Sequence, residues 1–185
     1  MKKVFLIAVV CFLAAACSDR PTLPGTGNSS ATTDSSATKT PPPVEFADQK
    51  YVDWGKKANT QFESGDIDGW SSQIAPDAIF RWSSGDSLGG KVAILKYWKE
   101  RRANVIDSIR FSNDIWLPLK VNQPQQKMQS PGIWLLHWSQ VNAKYKSGKA
   151  IQFWRHVDYH FNDNDQVDQI IEFIDHVPIN AAAKK

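Results

Sequence analysis

Four histidines and a handful of carboxylates are the side chains of this 185-residue sequence best suited to moving a proton. The segment His156-Val157-Asp158-Tyr159-His160 alternates imidazole, carboxylate and imidazole with apolar residues, and His137 lies one predicted strand upstream. Side chains two apart on a strand share a face, so Trp154, His156, Asp158 and His160 would lie together. Read as a two-residue hairpin turn, Ser147-Gly148 pairs Val141 with Trp154, Ser139 with His156 and His137 with Asp158. A carboxylate beside a histidine fixes its tautomer and brings its pKa to where it can work near neutrality, so His137 with Asp158 reads as a candidate general base and its partner. A purely structural His-Asp hydrogen bond is the plainer alternative. The ligand types of His156-x-Asp158-x-His160 also suit zinc or iron, but the motif is short and nonspecific, and no metal is assigned to it. His176, beside Pro178 and beyond the last predicted strand, reads as a surface residue.

Hydrophobic alternation pulls the other way. The opposite faces of the same two segments carry Trp134, Leu136 and Trp138, and Phe153, Val157, Tyr159 and Phe161. If those residues form the core, the histidines face solvent. A one-residue change of register, or a β-bulge, exchanges the two faces, so both readings stay open.

The elements that would position these residues follow from periodicity. Phe46, Tyr51, Trp54, Ala58 and Phe62 recur at near-helical spacing, with Gly65 as a stop. A second, short helix is predicted around Trp70 and Ile74, ended by Pro76, and a third from about Lys91 to Asn104. Ala78 to Trp82 reads as a short strand. After Asp107 the period changes, and Ile109–Leu119, Ile133–Tyr145, Ala150–Phe161 and Val167–His176 read as long strands. Helices first and a meander afterwards is the pattern of an α+β domain.

The ends of the chain have a different character. Lys2-Lys3 followed by an apolar run from Val4 to Ala16 reads as a signal peptide, because the run is shorter than the roughly 20 residues a membrane span needs. Leu13-Ala14-Ala15-Ala16-Cys17 resembles the lipobox of bacterial lipoproteins, which implies cleavage after residue 16 and lipid on Cys17. Residues 17–43, rich in Ser, Thr, Gly, Ala and Pro, read as a tether without a core, residues 44–180 as the folded domain and 181–185 as a tail. All eight tryptophans fall in the folded stretch. Loss of Lys2 and Lys3 from the 22 basic residues nearly balances them against 19 acidic ones, which argues against nucleic acid as a partner. Cys17 would then be the one remaining cysteine, so disulfides, thiolate metal sites and iron-sulfur clusters are not expected. Ser18, rather than Asp, directly after Cys17 favours the outer membrane of a bacterial cell envelope.

Phe62-Glu63-Ser64-Gly65-Asp66-Ile67-Asp68, Ala75-Pro76-Asp77-Ala78-Ile79-Phe80-Arg81-Trp82 and Leu88-Gly89-Gly90-Lys91-Val92-Ala93-Ile94, in that order, resemble the front half of the nuclear transport factor 2-like superfamily. Val157-Asp158-Tyr159-His160-Phe161 and the stretch from Val167 to Asp175 resemble its final hairpin, with Asp165 where a glycine is customary. The resemblance covers nearly all of residues 45 to 180. It implies three N-terminal helices packed on a strongly bent antiparallel sheet, a cone around an apolar pocket. Members include ketosteroid isomerases, SnoaL-like polyketide cyclases, epoxide hydrolases and non-enzymatic binding modules, so the fold does not choose a function.

Carried over position by position, the oxyanion-binding acid of the ketosteroid isomerases falls on Asp158, but their general base falls on Trp82 and their tyrosine donor on Ala58. That mechanism is therefore not expected. The resemblance places Trp82, Trp154, His156, His160 and Glu172 towards the pocket. The reading that results is a lipid-anchored binder of a small apolar or aromatic molecule, with no cofactor. Two alternatives are kept: a SnoaL-like lyase, isomerase or hydrolase using His137 and Asp158, and a module forming a homodimer through the sheet face carrying Trp134, Trp138, Phe153 and Tyr159.

Overall fold

A computed structural model describes residues 40–127 and 129–184; the signal peptide, Cys17 and most of the tether expected from the sequence lie outside the described residues. Helix α1 (Lys50–Ser64) buries Tyr51, Val52, Gly55, Ala58 and Phe62 along one face, the spacing that predicted it. It stops at Gly65, whose φ of 86° a residue with a Cβ adopts only at a cost, and whose N–H satisfies the Gln61 and Phe62 carbonyls. Asp66 then caps α2 (Ile67–Trp70) by accepting from the Gly69 N–H. Helix α3 spans Lys91–Asn104, as its periodicity predicts, with Ile94 fully buried.

Three predicted boundaries change, each because a partner distant in sequence competes for the backbone. Phe46 does not begin α1: strand β1 (Val44–Phe46) pairs with the far end of β4, and Phe46 is exposed. Ile74 does not end α2: it starts β2 (Ile74–Trp82). Pro76 is accommodated there because the pairing of β2 is irregular between Ile74 and Ile79, where its missing N–H breaks no ladder. The last strand ends at Phe173, since Asp175 accepts from the Val177 N–H and caps a fourth helix, α4 (His176–Ala183). Pro178 is tolerated in its first turn, where a helix needs no N–H.

The sheet runs β1-β4-β5-β6-β7-β2-β3, adding β3 (Ser87–Gly89), β4 (Ile106–Val121), β5 (Gly132–Tyr145), β6 (Ala150–Phe161) and β7 (Val167–Phe173). All neighbours are antiparallel except β2 and β7. The long strands curl, and their inner face packs on α1, α2 and α3. Phe62, Trp70, Phe80, Trp82, Tyr97 and Trp98 meet there edge to face or tilted, with ring centroids 4.5 to 6.4 Å apart. A bulge in β4 between Ser112 and Ile115, with Asn113 at φ 53°, turns Asp114 back towards the inner face. At the β6–β7 turn Asp165 adopts φ 57°, the left-handed conformation that favours glycine, and accepts hydrogen bonds from the Tyr51 hydroxyl (2.6 Å) and the Lys50 ammonium (2.7 Å).

Candidate functional site

The turn between β5 and β6 sets the register of everything below it. Lys146, Ser147 and Gly148 form a three-residue loop: the Tyr145 N–H donates to Lys149 O, the Gly148 N–H donates to Tyr145 O, and Gly148 sits at φ 89°. A two-residue turn would have given the pairing expected from the sequence. The extra residue slides β6 by one, so that His137 faces Val157, Ser139 faces Arg155 and Val141 faces Phe153.

This register separates the expected pair. His137 points inward and is fully buried, whereas Asp158 lies opposite Leu136 on the outer face. Trp154, His156 and His160 share that outer face, so of the expected pocket residues only Trp82 and Glu172 line the interior. Trp154 is 54% exposed. His156 stacks on Trp138, and its Nε2 lies 2.8 Å from Asp158 Oδ1 but out of hydrogen-bond alignment. Burial pushes the Asp158 carboxyl upward, and His156 opposes that shift. His160 is held between Asp168 (2.5 Å) and the Pro131 carbonyl (2.8 Å). Among the described residues no cluster of His, Cys, Asp and Glu has a metal-holding arrangement.

His137 is committed to the structure around it. Its Nε2 lies 2.6 Å from Asp114 Oδ1, its Nδ1 is 3.3 Å from the Arg155 guanidinium, and its ring stacks on Trp116 at 3.5 Å and 3°. One tautomer satisfies both contacts: Nε2–H donates to Asp114 while Nδ1 accepts from Arg155. A second proton on Nδ1 would oppose donor to donor. Burial, with the Arg155 and His156 charges, accordingly holds the ring's pKa down to about 2. Neither nitrogen keeps a lone pair free to abstract a proton from a substrate.

The interior instead holds a cavity of about 110 Å³. Its apolar wall includes Phe62, Trp70, Phe80, Trp82, Trp98 and Phe153, and its polar groups include Arg101, Arg155, Glu172 and His176. Glu172 is 4% exposed; it accepts from the Trp82 indole N–H at 2.9 Å and lies 3.6 Å from Arg155 Nη1. Burial raises its carboxyl pKa, against the pull of Arg155 and of the Trp82 hydrogen bond. Arg155 itself lies 4.4 Å over the Phe111 ring. A polar chain Trp82-Glu172-Arg155-His137-Asp114 thus crosses the inner face of the sheet from β2 to β4. His176, expected at the surface, lines the cavity because α4 folds across its end.

Arg155 and Arg101 are the functional candidates that sequence reasoning passed over. For Arg155 the signal was there: it alternates with Phe153, Val157 and Tyr159, so the apolar face of β6 carried a charge at its centre. For Arg101, in the last turn of α3, a basic residue at a helix C-terminus is ordinary.

No protein-family model matches the sequence, and no curated protein is similar to it in sequence. Solved structures do match. A nuclear transport factor 2-like protein of unknown function from Burkholderia pseudomallei superposes with a TM-score of 0.58 at 11% identity, over 72% of this chain and 97% of its own.

The chain has the nuclear transport factor 2-like fold.

Two further structures of that fold are similar. A proposed SnoaL-like polyketide cyclase from Shewanella denitrificans has a TM-score of 0.55 at 10% identity, over 73% of this chain and 97% of its own. An LEH-like epoxide hydrolase of M. tuberculosis has a TM-score of 0.51 at 9% identity, over 73% and 90%. The α+β cone expected from the sequence motifs is thereby established. It differs in carrying a fourth helix after the last strand, and it leaves the activity open.

Proposed function

We propose that this nuclear transport factor 2-like domain is a binding module of the bacterial cell envelope, held to a membrane by lipid on Cys17, whose cone takes one small aromatic or apolar molecule. The observation that carries the binding half is the interior cavity: walled by aromatic side chains with several polar groups set among them, it has the make-up of a small-molecule site. Its volume is of the order of the roughly 150 Å³ apolar cavity that holds benzene. Among the described residues no helix is long and apolar enough to cross a membrane, and the anchoring half rests on the sequence around Cys17.

Titration of the full-length protein with benzyl alcohol, followed by tryptophan fluorescence and calorimetry, tests the binding half. Saturable one-to-one binding is expected, and Ile174→Trp, which fills space at the half-buried cavity wall, should weaken it at least tenfold without lowering the melting temperature. Binding that ignores this substitution would sink the cavity reading. For the anchor, Cys17→Ser should move the protein from the membrane fraction to the soluble one, and an unchanged distribution would refute lipidation.

One observation favours a second reading, an enzyme: Glu172 is a cavity-lining carboxyl whose pKa burial raises, the property of a general acid or base. Glu172→Gln, nearly isosteric, should then abolish turnover of any substrate found while leaving its affinity within a few-fold.

A further inference from the structure

The cavity is unbalanced in its hydrogen bonding. Four nitrogens of lining residues, Trp98 Nε1, Arg101 Nε, Arg155 Nε and His176 Nε2, are buried without a hydrogen-bond partner among the described residues. Three of them are obligate donors; for His176 the role depends on the tautomer. Among the described residues the only carboxylate lining the cavity, that of Glu172, is already engaged by the Trp82 indole and by Arg155. Buried donors left without acceptors are costly, of the order of 1–3 kcal/mol each, and a native structure leaves few of them. Four of the nine such side-chain atoms among the described residues belong to residues that line this one cavity.

The charges are unbalanced in the same sense. Arg101 and Arg155 bring two guanidinium groups to the lining against one carboxyl, and burial favours the neutral form of that carboxyl. The Arg155 side chain is only 11% exposed, and its orientation is set on three sides: Glu172 at Nη1, His137 Nδ1 at Nη2 and the Phe111 ring below. That fixes the plane of its guanidinium before any ligand arrives. Preorganised donors in a low-dielectric site are the usual means of holding a compact anion, and the planar guanidinium matches a carboxylate.

We infer that the ligand of this cone is a small aromatic carboxylate, its ring against the tryptophan and phenylalanine wall and its carboxylate on Arg155 and Arg101. The inference rests on the binding reading above and narrows it. A cavity of about 110 Å³ restricts the ligand to about one ring in size. A larger polycyclic acid would require the helices to move.

The test is calorimetric titration of the full-length protein with benzoate, with benzamide as its neutral isostere and with acetate as the anion without a ring. Benzoate should bind at least tenfold more tightly than either. Arg101→Gln, which leaves the Glu172–Arg155 pair intact, should cost benzoate about tenfold and leave benzamide unchanged. The double variant Arg155→Gln, Glu172→Gln removes both members of the ion pair, so that neither is left without the other, and with Arg101 alone remaining should cut the preference to no more than a few-fold. If benzamide binds as tightly as benzoate, the anion claim is overturned while the cavity reading stands. If acetate equals benzoate, the ring contributes nothing and the proposal fails. If no aromatic compound binds, the binding reading itself is overturned. Should the double variant not fold, Arg101→Gln decides alone.

Discussion

His137 shows how a single buried group ties pH to stability. Its ring is held neutral by burial and by the Arg155 guanidinium at Nδ1, with a pKa near 2 against the ordinary 6.5. Below about pH 6.5 the unfolded chain takes up a proton on this ring and the folded chain does not. Stability from this group is therefore complete above that pH and is lost as pH falls, by at most about 1.4 kcal/mol per unit. His137→Gln can keep a donor and an acceptor but does not titrate. Urea midpoints from pH 7.5 down to 4.5 should fall more steeply for the wild type than for this variant, and parallel slopes would refute the assignment. At this scale the sequence exposed the chemistry-bearing residue types but not their neighbours. His137 was legible as an inward candidate; its partners Asp114 and Arg155 were not, because one arrives by a bulge and the other by register.

Elements here are positioned by glycines at two places where contact or backbone geometry demands one. Gly148, with φ at 89° and open space around it, is needed for its conformation, and the three-residue turn it allows decides which face of β6 looks inward. Gly55 is needed for space: a Cβ there would lie 2.5 Å from the Trp116 ring and 3.0 Å from Leu135. Trp116 cannot easily retreat, since its ring is stacked on His137. Gly55→Ala should therefore destabilise the protein by about 1–3 kcal/mol, as overpacking does, although alanine is the better helix former by about 1 kcal/mol. Chemical denaturation distinguishes the two, and a stabilised variant would show that α1 does not press on the sheet as described. Strand β6 was legible to the residue and helix α3 closely so from periodicity. Strand β1 and helix α4 were not: the first is defined by hydrogen bonds to β4, and the second by a cap at Asp175 within a stretch that also fits a strand.

On the scale of the whole molecule, the outer face of the sheet is the unsettled surface. Ile115 is 57% exposed, Trp154 54% and Phe173 47%, and Trp138 lies half-buried among them. Apolar residues grouped on one face favour a partner, and the homodimer expected from the sequence would use this face, with Phe153 and Tyr159 excluded from it because they point inward. Trp154→Glu should then convert a dimer to a monomer in sedimentation velocity at micromolar concentration while leaving ligand binding intact. A wild type already monomeric under those conditions would remove the interface.

The sequence by itself determined the class of fold, the order of its principal elements and the expectation of a lipid anchor, because helical and strand periodicity and the terminal composition are local properties. The tertiary structure decided which histidine is buried, which charges meet and where a ligand could sit. The physical reason is the two-residue period of a strand: a single added turn residue reverses a whole face of β6, exchanging Asp158 for Arg155 at the centre of the cone. Hydrophobic alternation was right about β6 and the family resemblance right about β5, and only the pairing between them could show that both hold at once.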